Sequence, residues 1–78
     1  MKQQPTLNVL KPGEHAFVHS LHCTGALRRR LLDMGVIPDT PIECLCTSLW
    51  GDPSAFLIRG TVIAIRATDC QLISIYTR

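Results

Sequence analysis

The chain has no apolar run approaching the roughly 20 residues that a membrane-spanning helix requires, so direct insertion into a bilayer is not expected. It also lacks a strong charge of either sign. Eight Lys and Arg against six Asp and Glu leave a formal charge of +2, too little to argue for nucleic acid as a partner. The one basic run, Arg28-Arg29-Arg30, would fan out at about 100° per residue on a helix and form no single patch. A Gly-rich phosphate loop is missing, and the carboxylates are scattered singly. His22 stands beside Cys23, but adjacent side chains rarely meet, and no Asn or Asp offers itself as a third member. The chain is not expected to be an enzyme. Met1-Lys2-Gln3-Gln4-Pro5 is not followed by the apolar core of a secretory signal, which points to the cytoplasm. Four cysteines without such a signal read as reduced thiols. Cys44 and Cys46 should share one strand face and, with Cys70, serve as small apolar residues at or near the core.

What remains is the profile of one folded unit. With 78 residues, 46% hydrophobic and 18% charged, the chain suits a single small domain whose compact core favours a barrel or sandwich. Residues 1–6 read as a flexible tail and 7–78 as the domain. Leu7-Asn8-Val9-Leu10 is an apolar anchor closed by the turn signal Lys11-Pro12-Gly13. Glu14 to Leu21 alternates as a strand, with Ala16 and Val18 on one face and His15, Phe17 and His19 on the other.

A short helix is expected over about residues 24–34. Leu27, Leu31 and Met34 fall at i, i+4 and i+7. Thr24 suits the N-cap, Gly35 a left-handed C-cap, and Pro38 follows as a breaker. Pro41 to Leu49 alternates as a second strand, and Trp50-Gly51-Asp52-Pro53 is a loop. Ala55 to Arg59 and Thr61 to Arg66 form a hairpin about Gly60. Ala67 to Cys70 is a turn or single helical turn, and Ile73 to Tyr76 a closing strand. The reading is therefore mainly β: five or six short strands closed into a small barrel, with one short helix plugging an opening. Its expected core is Ala16, Val18, Leu27, Leu31, Met34, Ile42, Cys44, Ile58, Ile65, Ile73 and Ile75.

Four segments carry a family resemblance. Leu10-Lys11-Pro12-Gly13-Glu14-His15-Ala16 resembles L-x-P-G-E-x-A, and Arg30 to Pro38 resembles R-L-x-x-M-G-[IL]-x-P. Gly51-Asp52-Pro53 is similar to G-D-P, and Arg59 to Arg66 resembles R-G-x-x-[IL]-A-[IL]-R. In this order and spacing they resemble FeoA, the ferrous iron transport protein A family, over about Leu7 to Tyr76. The resemblance implies an SH3-like β-barrel and a cytoplasmic accessory or regulatory role beside FeoB, a membrane ferrous-iron transporter with a G-protein domain. It leaves open whether such a protein stimulates nucleotide hydrolysis, assembles the transporter or gates iron. Two departures stand out. Asp39 replaces a glycine after the proline, where Asp still tolerates left-handed geometry, and Asp69-Cys70 replaces Glu-Ala.

Two candidate sites follow. On a helical projection Leu32 lies between Arg28 and Arg29, at about 140° against about 100° and 200° from Leu27. An apolar centre with a basic rim suits an acidic partner patch or self-association into a homo-oligomer. The alternative is that Leu32 is covered by the Trp50 loop or the N-terminal tail. Trp50 itself is either a partner anchor or a cover for one barrel end. The rival site is a cluster of His15, His19, His22 and Cys23, competent ligands for Fe²⁺ or Zn²⁺. It lacks the paired spacing of a tetrahedral site, so any binding there should be weak, and no cofactor is required.

Overall fold

The computed structural model of the protein describes residues 4–48 and 52–77. Five strands form one antiparallel sheet: β1 (His15–Leu21), β2 (Pro41–Thr47), β3 (Ser54–Ile58), β4 (Thr61–Ile65) and β5 (Ile73–Tyr76), in the order β4-β3-β2-β1-β5. Helix α1 (Gly25–Asp33) joins β1 to β2, and the single-turn α2 (Ala67–Cys70) joins β4 to β5. The sheet coils around its apolar face, although β4 and β5 do not pair to close it by hydrogen bonds.

The hairpin is where the sequence placed it. Arg59 and Gly60 both have positive φ, 52° and 79°, which is the two-residue type I′ turn whose twist matches the strands. It sets the register Ile58↔Thr61 through Ser54↔Ile65. Ile63 and Ile65 then face inward while Val62 and Ala64 are exposed.

Helix α1 ends in a full Schellman motif. Gly35 takes φ 98°, its N–H reaches Leu32 O at 3.0 Å, and Val36 N–H reaches Leu31 O at 2.9 Å. Val36 and Leu31 are both buried, joining the helix end to the core. Leu31 is the only buried residue of α1; Leu27 and Met34 pack beside it half-buried. The Asp39 turn survives the loss of glycine, at φ 69°. Asp39 N–H donates to Val18 O at 2.7 Å.

The core contains the other nine expected residues together with Leu7, Cys23, Val36, Phe56, Ile63 and Cys70. Leu7, wholly buried, belongs to a 3₁₀ turn (Leu7–Val9). Residues 4–6, expected in a loose tail, lie instead along β5: Ile75 N–H donates to Pro5 O at 2.9 Å, and Thr6 bridges Ser74.

A bulge changes the second strand. Cys44 pairs with Phe56 and Cys46 with Ala55, so β2 spends two steps where β3 spends one. Cys44 stays inside, and Cys46, expected on the same face, is exposed. Burial raises the Cys44 thiol above its ordinary range, with Cys46 and Glu14 adding to the shift. Burial, then Asp69 and Asp52, push Cys70 up to about 12. Both thiols are therefore protonated packing groups at neutral pH.

Candidate docking surface on the helix

Helix α1 is anchored by its apolar stripe and turns a second stripe outward. Gly25, Arg28, Arg29 and Leu32 recur at i, i+3, i+4 and i+7, and with Asp33 they line a groove of about 320 Å³. The three helical residues proposed from the projection are thus brought together. Leu32 is half-buried and Arg28 and Arg29 are exposed, a floor and two walls. Arg28 is held by one long bond, Nη1 donating to Leu21 O at 3.4 Å, at the end of β1. Among the described residues neither arginine pairs with a carboxylate. Gly25 and Asp33 were not foreseen as groove residues, although their spacing from Arg28, Arg29 and Leu32 carried the signal. Trp50 lies outside the described residues.

Arg30 points elsewhere. It reaches a polar depression of about 380 Å³ with Ala64, Arg66, Thr68 and Asp69. There Asp52 Oδ1 accepts the Ala67 N–H at 2.8 Å and caps α2.

The histidine–cysteine set does not converge as a whole, although His19 Nδ1 and His22 Nε2 both lie 3.1 Å from Ser20 Oγ. Among the described residues no three His, Cys, Asp or Glu side chains are grouped to hold a metal ion. His15 stands opposite Glu43 on the outer sheet face, lining a depression of about 300 Å³ with Pro41, Leu57 and Arg59. A second bulge falls at His19: Val18 pairs with Ile75 and Ser20 with Ser74. His19 nonetheless stays exposed on the face that His15 and Phe17 share, its ring meeting Tyr76, on which Phe17 stacks. His22 lies past the strand end, its Nε2 2.6 Å from Ser74 Oγ and 3.1 Å from Ser20 Oγ. Cys23 turns inward, 6% exposed. The His22–Ser74 pair has the look of a base and nucleophile. Ser74, however, is 3% exposed, its hydroxyl committed to the imidazole and shielded from any substrate. The α1 groove offers recognition by shape and charge.

The family model of the FeoA domain matches residues 6–77. The solution structure of a FeoA protein from Chlorobium tepidum superposes with a TM-score of 0.89 at 29% identity, covering 94% of this chain and 70% of that one. Iron(II) transport protein A from Clostridium thermocellum follows with a TM-score of 0.88 at 30% identity, over 94% of this chain and 45% of that one. A Stenotrophomonas maltophilia FeoA complexed with zinc, described as an SH3 domain protein, gives 0.80 at 23% identity, over 91% and 88%. The last likeness shows the fold, and it is SH3-like. A search of curated protein sequences finds no match.

Proposed function

Because the chain belongs to the FeoA family, which is associated with ferrous iron transport, we propose that it is a cytoplasmic accessory protein of a ferrous-iron uptake system. It acts by docking its α1 groove on an intracellular region of a FeoB-type transporter, the G-protein domain being the first candidate. The observation that supports this reading is the groove itself: a half-buried leucine between two arginines that, among the described residues, form no ion pair with a carboxylate. Such a surface gains from an acidic partner patch with an apolar centre.

The test uses the purified protein and the transporter's soluble intracellular domain, by calorimetry with and without guanine nucleotide. Leu32→Glu should leave the circular dichroism spectrum and thermal transition intact. It should weaken binding by about 30-fold or more, as expected for the centre of an interface. Raising the salt concentration should weaken the wild-type complex. No binding under either nucleotide condition, or a folded Leu32→Glu that binds normally, overturns the proposal.

A further inference from the structure

Two of the chain's rings lie on its surface in one stack. Phe17 of β1 and Tyr76 of β5 are cross-strand partners, their rings 5.5 Å apart and 25° from parallel. His19, displaced by its bulge, presents its ring to Tyr76 at 6.2 Å and 87°. The Tyr76 hydroxyl donates to Asp39 Oδ1 at 2.6 Å.

The carboxylate is held as firmly as the rings. Asp39 sits in a left-handed turn that is bonded to β1 on both sides: Asp39 N–H to Val18 O at 2.7 Å, and Val18 N–H to Thr40 O at 2.9 Å. Glycine or asparagine would serve this backbone equally well; aspartate adds a negative charge. That charge is exposed, and among the described residues no cation pairs with it. Aromatic faces are negative as well, so ring and carboxylate point to one kind of complement, a cation with a flat face. A guanidinium stacks on rings and bonds a carboxylate through its edge, which a lysine ammonium does less well.

We infer that Tyr76, His19 and Asp39, backed by Phe17, form a second docking site that takes an arginine side chain of a partner protein. It is opposite in charge to the α1 groove and does not depend on that groove's function.

The probe is N-acetylarginine amide, titrated into ¹⁵N- and ¹³C-labelled protein and followed by NMR, with N-acetylcitrulline amide as the neutral isostere. The variant is Asp39→Asn, which keeps the left-handed turn and an oxygen acceptor for Tyr76. Saturable shifts of the Tyr76 and His19 rings are expected with the arginine derivative. Citrulline in the wild type, and arginine in Asp39→Asn, should each bind roughly three- to tenfold more weakly, the loss of an exposed cation–π and charge contact. The same shifts on raising protein concentration alone, lost in Asp39→Asn, would identify the occupant as a second copy's arginine and support the site. Equal responses to arginine and citrulline, an unaffected Asp39→Asn, or shifts centred on another acidic residue overturn it.

Discussion

Gly35→Ala tests how the helix end is held, because two separable effects meet at that position. Gly35 has φ 98°, a conformation that costs a residue with a Cβ about 1–2 kcal/mol. A Cβ there would also lie 2.7 Å from the Arg59 Cδ. The clash is with a flexible side chain, so Arg59 can swing aside, at about 0.5–1.5 kcal/mol for the poorer rotamer. The substitution should therefore destabilise by about 2–3 kcal/mol, lowering the midpoint of thermal unfolding by roughly 10–20 °C for a domain of this size. Total stability at this length is about 4–12 kcal/mol, so the variant remains folded enough to measure. Urea unfolding of wild type, Gly35→Ala, Arg59→Ala and the double variant completes the cycle. The double variant should recover the side-chain part, a coupling of about 0.5–1.5 kcal/mol, and retain the backbone part. A loss below about 0.5 kcal/mol for Gly35→Ala would refute the left-handed cap. Strict additivity would refute the contact with Arg59.

Two further outcomes follow from the core. Leu7→Ala, at a position wholly buried beneath the N-terminal turn, should cost about 2–5 kcal/mol in urea unfolding; a loss under about 1 kcal/mol would mean that the turn is not part of the folded core. The Cys70 thiol, raised from 9.0 to about 12, contributes stability that is fully present below pH 9 and is lost as pH rises from there towards about 12, because only the unfolded chain releases its proton in that window. Stability should fall on the alkaline side by up to about 1.4 kcal/mol per pH unit from this group, and Cys70→Ala should remove that part of the slope; an unchanged slope would remove Cys70 as its source.

The parts of this fold that were legible in the sequence are those fixed by neighbours along the chain. The turn at Arg59-Gly60, the glycine stop of α1 and the helical stripe of Arg28, Arg29 and Leu32 all depend on spacings of a few residues. The bulges at His19 and Cys46 were not legible, since each arises from a mismatch of step between a strand and a distant partner. At Cys46 the extra residue reversed the face assigned to what followed and removed that thiol from the core. The wholly buried Leu7 was missed as core for a related reason. Its cover is β5 and α2, and no local pattern announces a pairing between the first and last segments.

That pairing has a kinetic side. Gln4 Nε2 donates to Ile75 O across 71 positions of sequence, and β1 finds its second neighbour only in β5. Closing a loop of that length carries an entropic term of about 4 kcal/mol, which must be met before the contacts it allows can form. The β3–β4 hairpin and α1 close locally and can form early, whereas β1 waits for the chain to reach Ile73. A ribosome-bound chain that has made only the first four strands presents β1 with one bare edge, the arrangement that recruits foreign strands. The domain is thus indivisible in time as well as in space: it has no half that folds first and shelters the other.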